Sequence, residues 1–140
     1  MISTLMLATF PASLLAADNG GTINTKTWSG ADELDTATLI VRPGIEDFNI
    51  PVGSLWKCFN KSENIRSIKA DNVGPGQFSV HLVSQYGGMT FYFRVADKHA
   101  LLVRADVVTQ SGQASTSQWN ELLVLIVSLV ETSCGKSSLH

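Results

Sequence analysis

The sequence predicts a single all-β domain over residues 1–140, built as an antiparallel β-sandwich or jelly roll. Apolar and polar residues alternate one by one in several short runs, which places them on opposite faces of strands. Turn residues recur about every ten residues, a spacing typical of sandwiches. Hydrophobic residues make up 44% of the chain and charged residues 16%, which favours a folded core over disorder.

The first segment, Met1–Ala17, permits two interpretations. It is apolar, ends in small residues and precedes the polar Asp18–Gly21, as a secretory signal peptide does. Against this, no Lys or Arg precedes the apolar run, and Pro11 interrupts it. We therefore expect Ile2–Ala17 to form one or two strands of the domain, with the signal peptide as the alternative. The segment is too short and too interrupted to span a bilayer.

The rest of the chain divides into predicted strands separated by turn residues. Alternation is clearest in Gln77–Ser84, Met89–Val95 and Ala100–Thr109, where β-branched and aromatic residues dominate. One strand is bent at Pro51, and Gln110–Gln118 is expected to be a polar loop. The predicted strands are Thr22–Trp28, Thr36–Arg42, Phe48–Asn60, Ile65–Ala70, Gln77–Ser84, Met89–Val95, Ala100–Thr109 and Trp119–Ser133.

The last run, Leu122–Val130, is apolar on both faces, and its periodicity does not distinguish a strand from a helix capped at Asn120. Its Val and Ile content and Ser128 favour a strand covered on both sides. We assign one face to the core and the other to a two-fold homodimer interface. The core face is Leu123, Leu125, Val127 and Leu129, and the interface is Leu122, Val124, Ile126 and Ser128.

Charge argues against direct binding of nucleic acid. The net charge is −2, and the ten basic residues are scattered singly rather than grouped in a patch. Acidic residues do cluster at Asp32, Glu33 and Asp35, but without the regular spacing of a calcium loop. We expect a solvated acidic loop there, with calcium binding as the alternative.

No motif for catalysis is present. The sequence lacks a phosphate-binding glycine loop and a nucleophile elbow. His81 alternates with core residues and is expected on the solvent face of a strand, while His99 is expected in a turn. We therefore predict that the protein is not an enzyme and has no catalytic residues, cofactor or metal site.

The remaining residues of interest have two interpretations each. Cys58 and Cys134 form a bridge only in an oxidising compartment, and we expect two buried free thiols. The triplet Asn60–Ser62 is an N-glycosylation sequon, which matters only in a secreted chain. The tryptophans, which are Trp28, Trp56 and Trp119, suit core packing better than stacking on a sugar.

Four segments give the chain a resemblance to the C-terminal protruding domain of coat proteins from tombusvirus-type, carmovirus-like plant viruses. Ile2–Met6 resembles the strand that opens the protrusion, and Phe48–Trp56 resembles an apolar strand near its middle. Ser111–Ser117 is similar to the Ser/Thr/Gly-rich loop before a long final strand. Leu122–Glu131, followed by a short polar tail, is similar to that strand. The basic arm and the shell domain of the family are absent.

The resemblance implies a two-sheet jelly roll that dimerises about a two-fold axis. It also implies projections on the capsid of a virion, made in the host cytoplasm, that meet a vector or host surface. The alternative is a secreted β-sandwich adhesin or carbohydrate-binding module, which accounts for the signal-like start and the sequon.

Overall fold

The computed structural model describes residues 25–28, 32–84 and 87–135. The strands predicted in Ile2–Ala17 and the alternative signal peptide lie outside the described residues. The elements in chain order are β1 Thr25–Trp28, α1 Asp32–Thr36, β2 Thr38–Arg42, β3 Glu46–Pro51, α2 Val52–Lys61, β4 Ile65–Gly74, β5 Gln77–Ser84, β6 Gly87–Ala96, β7 His99–Thr109, β8 Gly112–Thr116 and α3 Trp119–Cys134.

All described strands join one mixed sheet in the order β1-β4-β5-β6-β7-β2-β3, with β8 beside the second half of β7. Strands β4 to β7 form an antiparallel meander, whereas β1–β4 and β2–β7 are parallel pairs. The predicted predominance of β-structure is confirmed. The finer prediction of an antiparallel sandwich or jelly roll is not confirmed, because the described strands form one sheet rather than two.

One face of the sheet carries the core, and the helices α2 and α3 pack on it. Phe78, Val80 and Leu82 of β5 are buried there, as are Phe91 and Phe93 of β6. Their alternation with exposed or half-buried neighbours confirms the predicted strand faces in this part of the chain.

The predicted strand Phe48–Asn60 is wrong beyond Pro51, where β3 ends and α2 begins. Pro51 suits a helix start, since its fixed φ is compatible with the cap position and no amide hydrogen is needed there. The following apolar residues have helical spacing, so that one stripe of α2 is buried. That stripe is Val52, Leu55, Trp56 and Phe59.

The predicted final strand is also wrong, because Trp119–Cys134 form the helix α3. Leu122, Ile126 and Val130 are buried at intervals of four residues, which is one stripe of a helix. Leu has high helix propensity, and it outweighed the Val and Ile content. Gly135, at a φ of 97°, ends the helix, where its amide donates to the Glu131 carbonyl at 3.2 Å.

Two smaller predictions are corrected by the structure. The predicted polar loop Gln110–Gln118 contains β8, which pairs with β7 through a tight turn at Gln110 and Ser111. A φ of 140° at Gly112 is open to glycine alone. Asp32, Glu33 and Asp35 lie in the short helix α1 rather than in a loop.

The prediction of two free thiols is wrong, because Cys58 of α2 and Cys134 of α3 form a disulfide with a Cα–Cα distance of 5.7 Å. The two cysteines are 76 residues apart in the sequence, and they come together because the C-terminal ends of the two helices meet. In the part of the chain that is described, no helix is long and apolar enough to cross a membrane.

Candidate functional site: a groove along helix α3

A groove of 440 Å³ lies between the first half of α3 and the strands β7 and β8, and we call it the α3 groove. Its walls are mostly apolar, with polar side chains at the end where α3 begins. The lining residues are Ala105, Val107, Ala114, Ser115, Thr116, Asn120, Glu121, Val124 and Leu125.

A second, smaller pocket of 110 Å³ continues along the same helix. Val107 lines both cavities, and Leu129 of the smaller pocket stands one helical turn beyond Leu125 of the groove. The smaller pocket ends at Gly87, where the chains of β6 and β7 approach so closely that any Cβ would collide with the Val108 carbonyl. The two cavities therefore lie along the same helix and share Val107 as a wall residue.

The groove exists because small side chains form its floor. Ala105 of β7 is fully buried, and Ala114 of β8 stands opposite Val107 in the antiparallel register. These residues leave space that α3 does not fill. Val124, on the helix side of the groove, is 63% exposed, so the groove opens to solvent past an apolar wall.

The polar end of the groove is fixed by hydrogen bonds around Glu121. The hydroxyl of Thr116 donates to the Glu121 carboxylate and accepts the Gln118 amide at 3.2 Å. Glu121 lies in the first turn of α3, where a carboxylate complements the helix dipole. The strand β8 and the helix α3 are therefore linked at this end by side chains, and the carboxylate is held beside the cavity.

Trp119 and Arg42 lie next to the polar end. The guanidinium carbon of Arg42 is 4.7 Å from the centre of the Trp119 ring, a cation–π arrangement. Trp119 is 39% exposed, but Arg42 covers one of its faces. Of the other tryptophans considered for stacking on a sugar, Trp56 is buried in the core, and the side chain of Trp28 lies outside the description.

A polar cluster stands on the opposite face of the sheet. Arg104 donates two hydrogen bonds to Asp106 at 2.9 and 3.1 Å, and the Tyr92 hydroxyl donates a third at 3.1 Å. The hydrogen bond from Ser115 comes first among the causes that lower the pKa of Asp106, ahead of those from Arg104 and Tyr92. Burial, followed by the hydrogen bond to Asp106, raises the pKa of Tyr92. Because the carboxylate is fully engaged with these partners, the cluster braces β6, β7 and β8 and offers no reactive group.

His81 and His99 do not line the groove. His81 is exposed on the outer face of β5, as predicted, with Nδ1 2.8 Å from the Thr90 hydroxyl. Partial desolvation of the ring, the largest effect, lowers the pKa of His81, while the charge of Asp71 raises it and that of Lys69 lowers it further. His99 is exposed at the start of β7, directly after the predicted turn.

The four residues predicted as a dimer interface do not share one surface. Leu122 and Ile126 are 1% and 0% exposed in the core, whereas Val124 and Ser128 face solvent. The prediction assumed that every second residue points to the same side, as in a strand. In a helix every second residue points in a different direction around the axis. The sequence gives no local signal for the groove, because Ala105 and Ala114 belong to no motif.

A cleft of 420 Å³ lies over the disulfide and is lined by Ser54, Lys57, Cys58, Lys61, Ser62, Ser133 and Cys134. Its two lysines suggest anion binding, but the C-terminal ends of α2 and α3 meet here. Their carbonyl groups repel anions and attract the lysines. We therefore assign Lys57 and Lys61 to stabilising the helix ends. Elsewhere in the described residues, no three His, Cys, Asp or Glu side chains come together as metal ligands.

No family model, curated protein or solved structure matches the chain. The α3 groove is thus the candidate site on geometric grounds alone.

Proposed function

We propose that the protein is an exported, disulfide-bonded binding domain that holds the apolar part of a small amphiphilic ligand in the α3 groove. The observation that carries this proposal is the open apolar cavity between α3 and β8. Its 440 Å³ falls within the range of roughly 300–1,000 Å³ typical of small-molecule sites. Apolar walls with a few polar groups at one end are the usual composition of such sites.

Export is supported by the disulfide, because bonds of this kind persist mainly in oxidising compartments. The signal-like sequence of Met1–Ala17 and the sequon Asn60–Ser62 agree with it. An amphiphile is favoured over a sugar, the ligand first considered for a secreted module, because Arg42 already occupies one face of Trp119.

The groove is tested with a matched pair of variants on β8. Ala114 lines the groove, whereas its neighbour Gln113 points to the opposite face of the strand and is exposed. Ala114→Phe fills the cavity and should abolish the fluorescence gain of N-phenyl-1-naphthylamine, a neutral apolar dye. Gln113→Phe adds the same ring elsewhere and should bind dye as the unaltered protein does. The proposal fails if the unaltered protein does not bind the dye, or if the two variants bind it equally well.

The capsid protrusion suggested by the resemblance remains a second, weaker proposal. The predicted final strand that supported it is replaced by α3, and the reduced thiols expected of a protein made in the cytoplasm are replaced by the Cys58–Cys134 bond. Its jelly roll requires a second sheet, whereas the described strands form one. Light scattering tests the homodimer that this function requires: a monomer at high concentration would exclude it.

A further inference from the structure

We infer that the α3 groove selects amphiphiles whose head group is cationic or donates hydrogen bonds, and that Glu121 sets this preference. The inference rests on the proposed function and adds the chemical class of the ligand. Among the described residues that line the groove, Glu121 is charged, and none is Lys, Arg or His. The apolar chain of a ligand that lies along Val107 and Leu125 places its head group at the polar end.

The hydrogen-bonding groups at this end favour a donor over an acceptor. Glu121 offers carboxylate oxygens, of which one accepts the Thr116 hydroxyl. An ammonium or hydroxyl head group donates to the carboxylate, whereas a carboxylate head group meets a like charge at short range.

Two positive features near Glu121 oppose this preference and have to be weighed. The N-terminal end of α3 carries a partial charge of about +0.5, smaller than the full charge of the carboxylate. Arg42 is stacked on Trp119, which precedes Glu121 in the first turn of α3, and makes no ion pair with Glu121 among the described residues. Arg104 and Asp106 neutralise each other on the opposite face of the sheet. The net field at the polar end is therefore negative.

The test compares three ligands with the same chain: dodecylamine, dodecan-1-ol and dodecanoate. Each is used below its micelle concentration at pH 7 to displace N-phenyl-1-naphthylamine. Because exposed charge pairs contribute modestly, we expect the amine to bind about fivefold more tightly than the alcohol, and the carboxylate about fivefold more weakly. High salt should reduce both differences.

The control is a matched pair of substitutions on α3. Glu121→Gln keeps the size and an oxygen that accepts from Thr116, and it should make the amine and the alcohol bind equally. Glu131→Gln removes the same charge from an exposed position ten residues further along the helix, outside the groove lining, and should preserve the order.

Each outcome has a distinct meaning. If all three ligands bind equally, or if dodecanoate binds best, the inference about the head group is wrong and the apolar groove stands. If none displaces the dye because the dye itself does not bind, the proposed function fails as well. If Glu131→Gln removes the preference as Glu121→Gln does, the effect belongs to the overall charge of the protein and the inference is wrong.

Discussion

Helices α2 and α3 pack side by side on the same face of the sheet and share a disulfide, yet their surfaces differ. In α2 the buried residues form one stripe, and Ser54, Lys57 and Lys61 occupy the other side. In α3 the buried stripe is accompanied by Leu123, Leu125, Val127 and Leu129, which are half-buried against the core, and by Val124, which is 63% exposed.

The difference distinguishes apolar residues that the core requires from apolar residues that it does not. Burial of its single stripe explains the whole pattern of α2. The apolar residues of α3 exceed what the sheet fully covers, and two of them, Val124 and Leu125, line the groove. Exposed apolar surface of this kind is a common mark of a binding site.

The largest effect should separate the buried and exposed sides of α3. Ile126→Asp places an unpaired charge in the core and should destabilise the domain by about 4 kcal/mol or more, leaving it largely unfolded. Val124→Asp introduces the same group at an exposed site and should fold normally while it weakens binding of the apolar dye. Circular dichroism melting curves measure the stability of both variants, and the fluorescence of N-phenyl-1-naphthylamine measures the dye binding of Val124→Asp. A folded Ile126→Asp protein would contradict the assignment of this residue to the core.

The next effect tests how α3 is anchored to α2. Replacing Cys58 and Cys134 by serine should lower the free energy of unfolding by roughly 3–4 kcal/mol, since the bond closes a long loop in the unfolded chain. Urea unfolding of the variant and of the protein gives the difference, and the m-value checks that the unfolded state is comparable. Titration of the unfolded, unreduced protein should find no thiol, and two thiols would contradict the disulfide.

The contrast between the helices also shows what the sequence could predict. Strands β5 and β6 were predictable because apolar and polar side chains alternate along them. In β7 an irregularity in the pairing with β6 interrupts the alternation, so that Ala100 and Leu102 are buried in its first half and Ala105 in its second. The start of α2 was missed because Trp56 and Phe59 suit strands as well as helices, and only their spacing from Val52 distinguishes the two. In α3, apolar residues all around the helix hide its period. These extra apolar residues made the segment ambiguous, and they also form one wall of the groove.

The groove itself was not predictable from local patterns. It depends on Ala105 and Ala114, two small residues whose importance arises from the register of β7 and β8. The disulfide was similarly hidden, because the meeting of two helix ends 76 residues apart is a property of the topology. The resemblance to a capsid protrusion relied on a final strand that the structure replaces with α3.

A smaller effect should come from the polar cluster behind the groove. Asp106→Asn weakens the bonds from Arg104 and Ser115 and should cost about 1 kcal/mol of stability at pH 7. Asp71→Asn is the matched control, because Asp71 is exposed and lies 3.9 Å from Lys69, and it should change stability by less than about 0.5 kcal/mol. Because the folded pKa of Asp106 is lowered, its contribution is present above the unfolded pKa and is lost as pH falls through the folded pKa. The stability of the Asp106→Asn variant should therefore approach that of the unaltered protein in strong acid.

The smallest effect concerns His81, whose folded pKa is lowered, chiefly by partial desolvation of its ring. The unfolded chain takes up a proton near the ordinary value of about 6.5, while the folded chain resists protonation until a lower pH. The free energy of unfolding should therefore be greatest above the unfolded pKa of about 6.5, and it should decline as pH falls from there toward the folded pKa. Asp71 and Lys69 face this histidine with opposite effects on its pKa, and Thr90 is hydrogen-bonded to it.

His81→Gln should flatten the decline between pH 7 and pH 5 by roughly 2 °C in melting temperature. His99→Gln, at an exposed residue of β7, serves as the control, and an equal flattening by both variants would assign the effect to net charge instead.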